Sequence, residues 1–248
     1  MSEELERSLR SLGLNGMLGS YQELGEVARR ESMSYEKYLE ELLEREGQER
    51  SERRVERLTR QSRLPPEKTL ESFDRGRLSA KLNAQLNRLL EGEFLHRSEN
   101  VLAFGNPGSG KSHLICALAQ ELIRKGHAVL FRPCSLLVQD LLRAKRDLDL
   151  AKALKKLRHF EVLVIDDIGY VQQSREEMEV LFGLLADRYE RGSVMVTSNL
   201  AFSEWEKIFR DPMTTAAAID RLVHHSVILE LNLPSYRLEQ AKKRKKGS

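Results

Sequence analysis

Gly105-Asn106-Pro107-Gly108-Ser109-Gly110-Lys111-Ser112 is the stretch that decides how this chain folds. It fits G-x-x-x-x-G-K-[ST], the phosphate-binding loop of nucleotide hydrolases and kinases. An apolar run, Val101-Leu102-Ala103-Phe104, leads into it as a buried strand would. The run from His113 to Arg124 leads out as a helix, with Leu114, Ala117, Leu118 and Leu122 along one face. Glycines let the backbone turn its N–H groups inward around phosphate oxygens, and the following helix adds a favourable dipole. Lys111 is expected at the β- and γ-phosphates, with the Ser112 hydroxyl helping to hold Mg²⁺. A Gly/Pro/Ser surface turn would satisfy the same spelling. Strand before and helix after point instead to a bound nucleoside triphosphate.

Downstream, short apolar runs alternate with helical patterns. Ala128 to Phe131, Val162 to Ile165, Val194 to Thr197 and Ser226 to Leu231 read as strands. Ser135 to Leu148 and Ala151 to Leu157 read as helices, and a third opens on the capping box Ser174-Arg175-Glu176-Glu177 and runs to about Arg191. Ser203 is placed to cap a short helix through Trp205, and Thr214 to Val223 reads as another. Phe202 and Trp205 are expected in the core. The alternation predicts an α/β fold with a five-stranded parallel sheet covered by helices on both faces.

Upstream, residues 1 to about 60 contain no proline and read as helices, broken between Gly13 and Gly19. From Glu44 to Arg63 the sequence is mostly charged, with Val55 and Leu58 its strong apolar positions. That is either an exposed helix laced with i,i+4 pairs or a contact surface for a polyanion. Pro65-Pro66 marks a boundary, followed by a linker from Glu67 to Asp74 and a helix from Leu78 to Phe94. The organisation expected is a small all-helical domain over 1–64, a nucleotide-binding domain over 65–240 and a basic tail over 241–248.

The chain of 248 residues is 40% hydrophobic and 32% charged, enough for a sizeable core under a charged surface. A net charge of +3 implies no polyanionic partner by itself. Its distribution is uneven: Lys242-Lys243-Arg244-Lys245-Lys246 is a basic block, and Arg143, Lys145, Arg146, Lys152, Lys155, Lys156 and Arg158 cluster around two helices. The tail suits salt-sensitive attraction to DNA, or is a solubilising end; Gly247-Ser248 reads equally as vector sequence. Cys116 and Cys134 have no ligand spacing and read as free thiols. No run approaches membrane-spanning length, and Met1-Ser2-Glu3-Glu4 has neither region of a signal peptide, so a cytoplasmic protein is expected.

A phosphate loop alone does not separate a kinase, a switch GTPase and a motor-type ATPase. The third strand runs straight into Asp166-Asp167, placing two carboxylates at the C-terminal edge where open α/β sheets bind ligands. Asp166 suits Mg²⁺, and Asp167 suits a base that polarises the attacking water. The fourth strand ends in Thr197-Ser198-Asn199; the Asn199 amide either reads the γ-phosphate or simply ends the strand. Arg221 and Arg237 either stabilise charge developing on the γ-phosphate or are surface arginines. His224-His225 is rejected as a metal site, because adjacent side chains point apart and no third ligand lies near.

Taken together, Gly105 to Ser112, Val162 to Tyr170, Thr197 to Leu200, Ala218 to Leu222 and Ser235-Tyr236-Arg237 resemble the IstB-type ATPases. These are AAA+ proteins of insertion sequences, related to DnaC-type helicase loaders. The likeness extends to Leu14-Asn15-Gly16-Met17 and to Lys68 through Asp74. It implies a P-loop AAA+ core that uses ATP and Mg²⁺, multimers on duplex DNA with composite ATP sites, and stimulation of the insertion sequence's transposase. It matches Arg221 to an arginine finger acting in trans, Asn199 to sensor 1 and Arg237 to sensor 2. The nucleotide would then be held by Gly105, Asn106, Pro107, Gly108, Ser109, Gly110, Lys111, Ser112, His113 and Arg237. Asp167 stands where many AAA+ proteins carry Glu, and the separate helical lid of many AAA+ proteins is not expected here. The helix after the second strand resembles the clade's initiator-specific insertion, which implies DNA contacts at Arg143, Lys145 and Arg146. A replicative helicase loader shares the same core and is the competing function.

Overall fold

Five apolar strands pair in parallel, in the order β2-β3-β4-β1-β5. They are β1 (Asn100–Phe104), β2 (Val129–Pro133), β3 (Val162–Ile168), β4 (Ser193–Ser198) and β5 (Ser226–Glu230). The computed structural model describes residues 2–169, 174–200, 204–205, 216, 219–220, 222–236 and 238–239. Those residues fall in two compact units, 1–57 and 58–248.

In the larger unit helices cover the sheet, and its inner strands β1 and β4 are buried throughout while the edge strand β5 is mostly half-buried. Around it lie α4 (Ala80–Glu91), α5 (Glu93–His96), α6 (Lys111–Arg124), α7 (Cys134–Arg146), α8 (Leu150–Leu157) and α9 (Arg175–Arg188). Leu102, Leu163, Ile165, Leu181, Leu184 and Trp205 belong to one apolar cluster. Trp205 is fully buried and its ring lies 6.2 Å from Phe104, whereas Phe202 lies outside the described residues. Asn100 stitches the middle of the sheet: its Oδ1 accepts from Val194 N at 2.9 Å and its Nδ2 donates to Leu222 O at 3.1 Å. Arg188 is buried and donates to the carbonyls of Leu157, Phe160, Glu161 and Ser193 at 2.9–3.1 Å. Burial pushes its guanidinium down to about 10, still charged at neutral pH, as four carbonyl acceptors require. Cys116 and Cys134 are buried free thiols, and burial pushes Cys116 up to about 12, which makes it unreactive.

The expected helix from Leu78 to Phe94 is two helices, because Gly92 adopts φ 88° and ends α4 before α5 begins. The segment expected as a linker is an ordered strap, fixed by Ser72 bonds to Thr69 and to Glu67 O. The third strand does not stop at Ile165 but carries both aspartates within it. Half of the expected Thr214–Val223 helix, the Ser203 cap and the basic tail lie outside the described residues.

The smaller unit is helical: α1 (Ser2–Ser11), α2 (Asn15–Glu31) and the greater part of α3 (Tyr35–Ser62). Leu9, Met17, Leu24 and Leu42 form its core, with Tyr21 and Tyr38 packed on it. The expected break between Gly13 and Gly19 shrinks to residues 12–14, and Gly16 and Gly19 lie within α2. The reason at Gly16 is close approach: a Cβ there would lie 2.7 Å from Arg45 O and Glu46 Cα. No side chain of its own caps α2; Glu46 does so from α3, accepting from Gly16 N at 2.7 Å and Met17 N at 3.2 Å. Glu46 is therefore buried, although the charged run around it reads as a solvated face. Among the described residues no helix is long and apolar enough to cross a membrane.

Candidate functional site

The strand order brings the chemistry to one edge. β4 lies between β1 and β3, so the loop after β1, the aspartates of β3 and Asn199 after β4 share the C-terminal end of three adjacent strands. Ligands bind at that edge of open α/β sheets, where the strand order reverses.

The loop from Gly105 to Gly110 opens directly onto the N-terminus of α6. It is braced from behind by the chain following β5. Leu231 N donates to Phe104 O at 2.7 Å and Tyr236 N to Gly108 O at 2.9 Å. Any side chain at Gly105, where φ is 149°, would collide with the Leu231 carbonyl. Lys111 is 5% exposed, and its ammonium donates to Gly105 O, to Asn106 O and, at 2.6 Å, to Asn199 Oδ1. Ser109 Oγ is buried with no hydrogen-bond partner among the described residues, as expected of a loop shaped to take further acceptors.

Facing the loop is a cavity of about 380 Å³, within the range of small-molecule sites. Phe73, Arg77, Lys111, Asp167, Asn199 and Tyr236 are among its walls. Phe73 comes from the strap that reads as a linker in the sequence, and Arg77 from the helical turn Arg75–Arg77 that follows it. The strap is tied to α6 by His113, whose Nε2 lies 3.0 Å from both Thr69 O and Ser72 Oγ. A carbonyl only accepts, so Nε2 carries the proton. Arg77 lies 5.2 Å from the centre of the Tyr236 ring and donates to Pro234 O at 2.7 Å, joining that turn to the chain after β5. Spacing gave no signal for these wall residues, because they come together only through tertiary contacts.

Asp166 and Asp167 sit at a bulge. From Ile165 to Ile168 β3 advances three residues while its partner β4 advances two, Val196 to Ser198. Asp167 takes φ 59°, the left-handed region that a non-glycine residue seldom occupies. The Thr197 hydroxyl, opposite the bulge, donates to Asp166 Oδ1 at 2.6 Å and accepts from Asp167 N at 2.9 Å.

The donor set suits a hard divalent cation. Ser112 offers a hydroxyl and Asp167 a carboxylate to the cavity, Asp166 precedes Asp167 on β3, and among the described residues no three His, Cys, Asp or Glu side chains cluster. Magnesium is commonly held by one or two carboxylates plus substrate phosphates. His224 and His225 do not point apart: their rings meet edge-on with centres 4.3 Å apart. Both end a turn before β5, where the alternation of a strand does not apply.

Arg143, Lys145 and Arg146 are exposed on the last turn of α7, with Lys145 paired to Glu179 at 2.8 Å. Arg221 and Arg237 lie outside the described residues.

A family profile described as IstB-like ATP binding protein matches residues 7–244. A relative from Sinorhizobium fredii (strain NBRC 101917 / NGR234), named as an insertion sequence ATP-binding protein, is 43% identical over 90% of this chain and 76% of its own length. One from Pseudomonas aeruginosa, named as an ATP-binding protein of insertion sequence IS21, is 39% identical over 97% of this chain and 91% of its own. Among solved structures, DnaI superposes with a TM-score of 0.57 at 20% identity, covering 68% of this chain and 95% of that one. The DnaC helicase loader superposes with a TM-score of 0.55 at 18% identity, covering 66% and 97%. At such identities the solved structures show a shared fold, here a five-stranded parallel sheet flanked by helices.

Proposed function

Because this chain belongs to the family of IstB-like ATP-binding proteins, we propose that it is an ATP-hydrolysing AAA+ protein that assembles on duplex DNA and stimulates the transposase of its insertion sequence. The observation that carries the catalytic part is the meeting of Lys111, Asp167 and Asn199 in one cavity beside the phosphate loop, with Asp166 next to Asp167 on β3. The transposition part is supported by relatives at 39–43% identity that are named for insertion sequences.

In this reading residues 65–240 form the ATPase domain, 1–64 a helical domain and 241–248 a basic tail. Residues Gly105 to Ser112 wrap the triphosphate with backbone N–H groups, His113 continues the helix behind them, and Lys111 neutralises the β- and γ-oxygens. Mg²⁺ held by Ser112 and Asp166 supplies further neutralisation of the phosphates. Asp167 accepts the proton of the attacking water, and Asn199 orients that water. Arg221 of a neighbouring subunit and Arg237 of the same chain stabilise charge on the γ-phosphate, making each site a composite of two subunits. Arg143, Lys145 and Arg146 contact DNA phosphates.

Turnover measured with duplex DNA, single-stranded DNA or no DNA, alongside sizing of the assemblies, tests the proposal. Stimulation by duplex DNA with ATP-dependent multimers is expected. Preference for single-stranded DNA together with capture of a replicative helicase would favour a loader instead, and turnover indifferent to DNA would leave only a nucleotide switch.

A further inference from the structure

We infer that Thr197 is the positioning residue for both aspartates of the site, and that its hydroxyl sets the site's demand for magnesium. Its two bonds have fixed directions. A carboxylate only accepts and a backbone N–H only donates, so the single Thr197 proton goes to Asp166 Oδ1 and its lone pair takes Asp167 N–H. Neither role can be exchanged for the other. Holding Oδ1 fixes the plane of the Asp166 carboxylate and leaves Oδ2 as the oxygen for a cation.

The need for such a splint follows from the bulge. Where β3 gains a residue against β4, the regular ladder between the two strands is interrupted, and the Asp167 backbone turns to φ 59°. A conformation of that kind persists only where its surroundings over-determine it. Thr197 is 0% exposed on the strand between β1 and β3, paired with Ala103 on one side and facing the bulge on the other. Its β-branched side chain has a stiff χ1, so the buried methyl aims the hydroxyl at both partners. Apart from this hydroxyl, threonine in a strand is unremarkable, and nothing in the spelling Thr197-Ser198-Asn199 separates its first residue from ordinary strand-forming ones.

The inference rests on the reading of Asp166 as a ligand of the nucleotide's magnesium, and the test separates the two. Thr197→Val removes the hydroxyl and keeps the shape. In the nucleotide-free chain it is expected to strip hydrogen-exchange protection from the Asp167 amide. Fluorescent anthraniloyl-ATP should bind as in the parent when magnesium is chelated, while the magnesium concentration for half-saturation rises about 10- to 100-fold, the usual effect of losing the partner of a metal ligand. Turnover should fall through kcat more than KM, and Thr197→Ser, which restores a hydroxyl, should recover most of both. Should the valine variant not fold, Thr197→Ala is put through the same titration. A hydroxyl-free variant with the parental magnesium titration and a protected Asp167 amide, while Asp166→Asn displaces that titration, overturns the inference and leaves the reading of Asp166 intact. If Asp166→Asn also titrates as the parent, reading and inference fall together.

Discussion

The Lys111 ammonium donates to Asn199 Oδ1 at 2.6 Å, so the start of α6 and the end of β4 are joined by one hydrogen bond across the site. The two residues should nevertheless separate in their effects. Lys111 also holds its own loop through two carbonyls, and Lys111→Ala is expected to abolish ATP binding, read by equilibrium titration. Asn199→Ala should bind ATP and lose about 100-fold in kcat, the usual magnitude for one oriented polar group at a transition state. Asp167→Asn should likewise bind without turnover. Parental kcat in either of the last two removes that residue from the catalytic step.

Assembly supplies a second test. Arg221→Ala should form multimers yet hydrolyse poorly, with kcat down by about 1,000-fold as where arginine fingers are lost. Mixing it with Asp167→Asn should restore part of the rate, because some interfaces then pair an intact Asp167 with an intact Arg221. Mixtures no more active than either variant alone exclude a finger acting between subunits.

The sequence disclosed what depends on neighbours along the chain. Val101 to Ser112 spells strand, loop and helix in register, and Asp166-Asp167 ends an apolar run. Relations across the sheet were not legible. The bulge at Asp167 exists only relative to β4, and Thr197 becomes special only by facing it. The strap from Glu67 to Asp74 lacks helical or strand periodicity, so it reads as a linker, yet His113 ties it to α6 and Phe73 makes it a wall. Gly16 reads as a helix breaker because its cost is local, whereas its benefit, the close approach of Arg45 and Glu46, lies 30 residues away. Glu46 hides in a charged run for the same reason: only its fold partner reveals it as a cap.

That cap predicts pH-dependent stability in the amino-terminal unit. Burial pushes the Glu46 carboxyl up, but Arg50 and the N–H groups of Met17 and Gly16 outweigh it and hold the carboxyl below its ordinary 4.5. A carboxyl depressed in the folded state contributes stability above the unfolded value and loses it as the pH falls through the folded one. Glu46→Gln should therefore cost about 1 kcal/mol at neutral pH, the worth of a helix cap, and the difference from the parent should close below pH 4.5. Gly16→Ala, which forces a Cβ against α3, should cost about 1–3 kcal/mol with no such pH dependence. Denaturant melts of the full chain, followed by circular dichroism at several pH values, check both.

The basic end of α7 offers a graded test of DNA contact. Arg143, Lys145 and Arg146 are all exposed, but Glu179 already pairs Lys145 at 2.8 Å, and that pairing raises the lysine's pKa. A phosphate must displace the carboxylate before Lys145 can be counted, whereas no ion pair among the described residues is made by Arg143 or Arg146. Replacing both arginines by alanine should weaken duplex binding and lower the slope of log K against log salt by about 2, since each neutralised phosphate contributes about 0.9. Lys145→Ala should change that slope less than either arginine does. Glu179→Gln removes the competitor and should tighten binding most at low salt, where the freed charge is least screened. If all three variants share the parental slope, α7 does not touch the DNA backbone.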